Sequence, residues 1–170
     1  MGWANGPTGR SGVRLDGNPG VTGAQYQLRV HSGSTDDLEL ATFGAPPLSA
    51  EAKLDVVSRL TAHARGAQSG DRSLECLQRC IRDVVAEEAD DAIVVLLSDA
   101  NLGRYGIAPS QIAEQLASEP AVSAHAIFIG EPSAAEWIMS ELPVGKGFVV
   151  LDTTKLPLCV ADILAEAAAR

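Results

Sequence analysis

The sequence predicts an α/β fold in which a doubly wound, mostly parallel sheet carries an antiparallel edge strand. Two observations favour this class. In the second half of the chain, short apolar runs alternate with amphipathic segments, and the connections between them are short. Nearer the start, two segments of alternating polarity are separated by a polar loop typical of a hairpin. The length of 170 residues suits one domain.

The first 24 residues differ in composition from the rest of the chain. They hold seven of the sixteen glycines and almost no apolar cluster, so burial cannot offset their backbone entropy. We therefore expect residues 1–24 to be disordered and residues 25–170 to form the folded domain.

The domain is expected to begin with an antiparallel hairpin and a helix. The two predicted strands are "YQLRVHS" and "DLELATF", and the loop between them is "GSTD". Pro46 and Pro47 end the second strand, Ser49 can cap a helix, and Gly66 can end it. The apolar positions that recur at helical spacing, and so define its expected core face, are Leu54, Val57, Leu60 and Ala64.

A second helix and three further strand–helix units should follow. The expected core face of the second helix consists of Leu74, Leu77, Ile81, Val84 and Val85. Parallel strands are predicted at 92–97, 122–129 and 147–151. Helices are predicted at about 110–118, at 133–142 and after Thr153 or Thr154.

Charge and cysteine content exclude several classes of function. A formal charge of -9 and a pI near 4.7 argue against nucleic acid and anionic membrane surfaces as partners. The three cysteines are odd in number and form no C-x-x-C pair, and Cys76 and Cys80 are expected to be buried thiols on one helix face. Because no apolar run has the length of a membrane span or the features of a secretory signal, we expect a soluble intracellular protein.

The common catalytic motifs are absent from the sequence. It contains no phosphate-binding loop, no G-x-G-x-x-G fingerprint and no G-x-S-x-G elbow. His31, His63 and His125 are assigned to a strand, a helix and a buried strand, where each is expected to be structural. The sequence thus favours a protein that is not an enzyme.

Three oxygen-rich loops lie at predicted strand ends or helix starts and are candidates for a cation site. The loops are "HSGSTDD", "QSGDRSLE" and "LLSDANLGRYGI". The second supplies Asp71 and Ser73 and the third supplies Asp99, and hard divalent cations such as Mg²⁺ prefer carboxylate and hydroxyl oxygens. Each residue also has a structural interpretation. Asp71 or Ser73 can cap the second helix, and Asp99 can start a turn by accepting backbone hydrogen bonds.

The loops and the strand between them resemble a known family. The relevant segments are "HSG" at 31–33, "SGDRSLE" at 69–75, "EEADDAIVVLLSDANLGRYGI" at 87–107 and "AIFIG" at 126–130. In this order they resemble the carboxyl-terminal part of a von Willebrand factor A domain. The resemblance is strongest to the large mitochondrial A-domain proteins that carry AAA ATPase modules upstream.

The resemblance implies a metal-ion-dependent adhesion site at which an acidic side chain of a protein partner completes the shell of a bound Mg²⁺. Asp99 falls on the aspartate of the third loop and is followed by Ala100, where glycine is more usual. Asp71 falls on the threonine of the second loop, with Ser73 two residues later. The resemblance alone also implies a mitochondrial location. Without it, the expected location is the cytoplasm.

The chain departs from the family pattern in the first loop. The motif D-x-S-x-S is absent, because Val30 occupies the aspartate position before Ser32 and Ser34. The apolar first strand and its helix are missing as well. We therefore expect weak or absent Mg²⁺ binding, and either a gap or direct contact between the strands at 26–31 and 92–97. Such an open sheet predicts marginal stability or self-association.

The sequence favours a non-catalytic protein-interaction module with an incomplete adhesion-type metal site, while any ATPase activity would reside in upstream modules. Two alternatives remain open. The chain could be a small α/β enzyme or ligand-binding domain that uses the crevice near Asp71 and Asp99, or a non-functional truncated fragment.

Overall fold

The described part of the chain forms one mixed sheet of six strands flanked by helices. The computed structural model describes residues 2–5, 24–33, 37–46, 48–66, 70–130 and 132–168. The strands are β1 (Gly2–Asn5), β2 (Ala24–Val30), β3 (Leu38–Ala41), β4 (Ala92–Ser98), β5 (Val122–Ile129) and β6 (Gly147–Val150). Their order in the sheet is β3-β2-β1-β4-β5-β6. The helices are α1 (Ala50–Gly66), α2 (Ser73–Ala86), α3 (Pro109–Leu116), α4 (Pro132–Glu141) and α5 (Leu156–Ala168), with short 3₁₀ turns at Leu102–Tyr105 and Thr153–Lys155.

The half of the sheet formed by β4, β5 and β6 is parallel, as predicted, and covered on both faces. Successive side chains of β4 point to opposite sides because strand residues alternate. Val94 and Leu96 join a core built with α2, α3 and α4, whereas Ile93 and Val95 face α5. The predicted α/β class with helices on both faces is therefore confirmed.

The other half of the sheet is antiparallel and tied together by charge. β2 and β3 pair antiparallel with a register shift at Leu28/Arg29, which confirms the predicted edge strand. The Arg29 guanidinium donates to Asp37 at 2.8 Å and to Glu39 at 2.6 Å, and it lies 3.0 Å from Asp83 of α2. One guanidinium thus joins both strands of the hairpin to the helix that covers them.

The position between β2 and β4 is occupied by β1, which differs from both arrangements expected there. Gly2 aligns with Gln27 on one side and with Val94 on the other, and both pairings are antiparallel. Neither a gap nor direct contact results, because an amino-terminal segment supplies backbone groups that both neighbours require. Disorder was predicted for all of residues 1–24 and is wrong for Gly2–Asn5, which form β1. Residue 1 and residues 6–23 lie outside the described residues, and for them disorder stays a prediction.

The predicted core face of α1 is wrong. α1 has no buried residue, and Leu54, Val57 and Leu60 are 71%, 57% and 40% exposed. The helix lies beside the edge strand, where Arg59 donates to the Glu39 carbonyl oxygen at 2.8 Å. The opposite side of α1 is the half-buried one, and its residues are Ala52, Val56, Arg59 and His63. Helical spacing predicts that a stripe exists but not which side meets the sheet.

The helix α2 follows its predicted pattern with one exception. Leu77, Ile81 and Val84 are buried, and so are the thiols Cys76 and Cys80. Val85 was expected in the same face but is 44% exposed, because it follows Val84 by about 100° and points away from the sheet. Among the described residues, no helix combines the length and apolar character required to cross a membrane.

Candidate functional site

The ends of β2 and β4 lie at the same edge of the sheet. Both strands run antiparallel to β1 and are therefore parallel to each other. β5 is parallel to β4 and ends at this edge too. The loops that follow these strands, together with the loop before α2, form the candidate site, which we call the carboxyl edge.

A glycine contact joins the first loop of the carboxyl edge to the second. The backbones of Gly33 and Gly70 touch, and a Cβ added at either position would overlap the other residue. Gly70 also has a φ of +153°, a conformation that L side chains rarely adopt. Only glycine at both positions allows this close approach.

His31, Asp71 and Ser73 meet beside this contact. Asp71 Oδ1 accepts a hydrogen bond from the Ser73 amide at 2.7 Å and so forms a turn that leads into α2. The predicted cap by Asp71 or Ser73 is wrong, because Arg72 is the N-cap residue of α2 and its side chain makes no capping bond. His31 Nε2 lies 3.4 Å from Ser73 Oγ, and His31 Nδ1 lies 4.0 Å from Asp71 Oδ1. The Ser73 side chain is fully buried, so its hydroxyl is directed at the imidazole and not at solvent.

Burial lowers the pKa of His31 below its usual value of 6.5, and the nearby Asp71 carboxylate only partly opposes this effect. The imidazole is therefore mainly neutral at neutral pH. Its Nδ1 is buried without a hydrogen-bond partner within the described part of the chain. A neutral, half-satisfied imidazole at a loop junction can donate or accept one further hydrogen bond.

Asp99 lies in the loop after β4, and its side chain is exposed. Its Oδ1 accepts from the Asn101 amide at 3.0 Å, which supports the structural interpretation as a turn residue. Ala100 has a φ of +63°, a left-handed conformation that explains why glycine is more usual at this position. Gly130, after β5, approaches so closely that an added Cβ would lie 2.9 Å from the Asp99 carbonyl oxygen.

The structure brings together two of the three predicted site residues. Asp71 and Ser73 share a hydrogen bond and contact His31, whereas Asp99 makes its recorded contacts within its own turn and with Gly130. Within the residues that the structure describes, no group of three or more His, Cys, Asp or Glu side chains is suited to hold a metal. His31 was assigned to structure alone from the sequence. Its place directly after a strand and before Gly33 is the signal for a role at this edge.

A cavity of about 60 Å³ lies beneath these loops, between β2, β4 and α2. Its lining includes Arg29, His31 and the two thiols, and it is large enough for water. Arg29 Nε, like His31 Nδ1, has no hydrogen-bond partner among the described residues. The hydrogen bond with Cys80 and burial raise the pKa of Cys76, which keeps this thiol protonated.

His125 is structural, as predicted. Its Nδ1 lies 3.1 Å from the Gly145 carbonyl oxygen and must therefore donate, because a carbonyl only accepts. Nε2 then accepts from the Ser123 hydroxyl at 2.9 Å. The ring holds the loop before β6 against β5, and it is 1% exposed.

Comparison with known proteins identifies the fold family. No protein-family model matches the chain, and no solved structure matches it. Over 140 residues, or 82% of its length, the chain is 37% identical to von Willebrand factor A domain-containing protein 8 of Mus musculus. The chain therefore belongs to the von Willebrand factor A domain family. The match covers only 7% of the mouse protein.

The architecture agrees with the A-domain assignment. A mixed α/β sheet with helices on both faces and an antiparallel edge strand is the fold expected from the resemblance. A domains commonly mediate protein interactions. In open α/β sheets, ligands bind at the carboxyl ends of the strands, because rigid strands hold the loops there. The carboxyl edge is that position in this A domain.

Proposed function

We propose that this A domain is a non-catalytic protein-interaction module that binds its partner at the carboxyl edge. The supporting observation is the Gly33–Gly70 contact, which holds His31 and Asp71 together at the end of β2. Asp99 is exposed at the end of β4, on the same edge. The edge therefore offers polar groups on neighbouring loops of one sheet.

The donor set does not fit a resident magnesium ion. Mg²⁺ requires near-octahedral oxygen ligands. Here Asp71 Oδ1 accepts from the Ser73 amide, the Ser73 hydroxyl is buried against an imidazole, and Asp99 Oδ1 bonds its own turn. The D-x-S-x-S run that would add an aspartate and two serines is absent from the sequence. We propose an incomplete adhesion-type site with weak affinity for Mg²⁺.

Calorimetric titration with MgCl₂ tests this part of the proposal. We expect no saturable heat below millimolar Mg²⁺, and the same trace for Asp99→Ala and for the control Glu114→Ala, an exposed acid on α3. Tight, stoichiometric binding that Asp99→Ala abolishes and Glu114→Ala retains would contradict an incomplete site.

The interaction itself is tested by affinity capture with matched variants. Asp71→Asn keeps an acceptor for the Ser73 amide but removes a charge, and Asp99→Ala removes the exposed carboxylate. We expect a specific partner to bind the wild type and Glu114→Ala but to be lost from Asp99→Ala. Turnover of a small molecule that depends on Asp71 or Asp99 would support the α/β enzyme alternative instead.

Coupling to an ATPase and mitochondrial localisation are part of the proposal and rest on the family resemblance. We expect the purified chain to hydrolyse no ATP, because the sequence contains no phosphate-binding loop. Fractionation of cells that express the full-length protein with a tag tests the location. Recovery outside mitochondria would contradict that part of the proposal.

A further inference from the structure

The exposed side of α1 carries a heptad stripe. Its members are spaced alternately by four and three residues, as in the a and d positions of a coiled coil, and they are Ala50, Leu54, Val57, Thr61 and Ala64. Every member is exposed, and Leu54 is the most exposed large apolar residue of the stripe. The half-buried side of the helix faces the rest of the domain, so a second helix can approach the stripe without a clash.

Charges beside the stripe complement each other in only one arrangement. The d positions of the stripe are Ala50, Val57 and Ala64. The residue after each of them, Glu51, Ser58 or Arg65, occupies an e position. In an antiparallel helix pair, e positions face e positions, so Glu51 of one copy meets Arg65 of the other twice, and Ser58 meets Ser58 near the two-fold axis. In a parallel pair, Arg65 would instead face Leu60, and no charge pair would form.

Side-chain sizes support the same arrangement. In this antiparallel register, the a and d residues pair across the interface. Leu54 of one copy lies beside Ala64 of the other, and Val57 lies beside Thr61. Each large residue then meets a smaller one, which allows close packing without overlap. Neither Glu51 nor Arg65 has a recorded side-chain partner in the part of the chain that the structure describes.

We infer that α1 is a self-association surface, on which a second copy of this chain packs its own α1 antiparallel through the heptad stripe. This surface lies beside the edge strand β3 and is independent of the carboxyl edge. A helix of 17 residues is about 26 Å long, so the helix pair alone is smaller than a standard interface. The dimer is accordingly weak, and it forms in the micromolar to millimolar range.

Sedimentation equilibrium with charge-reversal variants tests the inference. Glu51→Arg places cations at both charged e positions and Arg65→Glu places anions at both, so each variant alone should dimerise about tenfold more weakly than the wild type. An equimolar mixture of the two variants, or the double variant Glu51→Arg/Arg65→Glu, should recover the wild-type dissociation constant. Circular dichroism of each variant verifies the fold.

Cysteine cross-linking tests the geometry. Oxidation of Ser58→Cys should give a covalent dimer, because this position faces itself across the two-fold axis. Asp55→Cys, on the same helix but away from the stripe, is the control and should give no more dimer than the wild type. A monomeric wild type at all concentrations, a dimer indifferent to the charge reversals, or equal cross-linking of both variants would overturn the inference. If the stripe were protected from hydrogen exchange in a monomer, another segment of the same chain would cover it, and the inference would be wrong.

Discussion

The two halves of the sheet are stabilised in different ways. In the β4–β5–β6 half, strands are covered on both faces by apolar helices, and side chains such as Ile127 and Phe128 are fully buried. In the β1–β2–β3 half, Arg29 and its carboxylate partners bind the hairpin to α2, while α1 leaves its apolar stripe exposed. Apolar burial dominates in one half, and charge pairing replaces much of it in the other.

The largest expected difference between the halves is in side-chain truncation. Phe128→Ala should lower the free energy of unfolding by about 3–5 kcal/mol, because it leaves a cavity in the parallel half. Leu54→Ala in α1 should change it by less than about 0.5 kcal/mol in dilute solution. Urea unfolding of both variants measures the two values. A large loss for Leu54→Ala would show that the stripe is buried within the monomer.

The charge network of the antiparallel half gives the next largest effect. Arg29→Met should cost about 1.5–3 kcal/mol, because Asp37 and Glu39 lose a charged hydrogen bond and the acids then repel each other. Arg104→Met, an exposed arginine beside Tyr105, is the matched control. Thermal melting at low and high salt compares the two variants. If the two substitutions lowered the melting temperature by equally small amounts, the hairpin would need another source of stability.

The pH dependence of stability should report on His31, which lies where the loop after β2 meets the start of α2. Because burial lowers the folded-state pKa of His31, the unfolded chain binds a proton more readily. Stability should therefore fall as the pH drops below about 6.5, and His31→Gln should reduce this loss. The charged groups that act on the imidazole include Asp71, Asp37 and Glu75, which favour its protonation. Melting temperatures of both proteins between about pH 7.5 and pH 5.5 test the sign. Parallel curves for the two proteins would contradict it.

The smallest expected effect concerns two left-handed residues in the loop that follows β4. Ala100 has a φ of +63°, and Gly106 has a φ of +76° with open space where a Cβ would lie. Ala100→Gly should stabilise the domain by less than about 1 kcal/mol, since relief of backbone strain is partly offset by unfolded-state entropy. Gly106→Ala should destabilise it by about 1 kcal/mol. Chemical denaturation that reversed these signs would rule out strain as the reason for the glycine preference.

The candidate site contains contacts that can be predicted from residues close in sequence and contacts that cannot. The turn formed by Asp99 was predictable, because its side chain bonds an amide two residues away. Asp71 makes the same local bond just before α2, where a helix cap had been predicted. The place of His31 beside Ser73 was not predictable, because the two are 42 residues apart and meet only where Gly33 touches Gly70. Metal affinity and partner identity at this edge stay predictions.

The sequence by itself determined the parallel half of the sheet and the core face of α2. Apolar runs and helical spacing are local signals, and the covering of β4 on both faces follows directly from them. Only the tertiary structure decided which segment occupies the position beside β4 and which side of α1 meets the sheet. A strand pairs with whichever backbone is available, so β1 could be assigned only once the rest of the sheet was in place. The stripe of α1 faces solvent because the helix lies beside β3 and not over the sheet, a choice that its spacing does not encode.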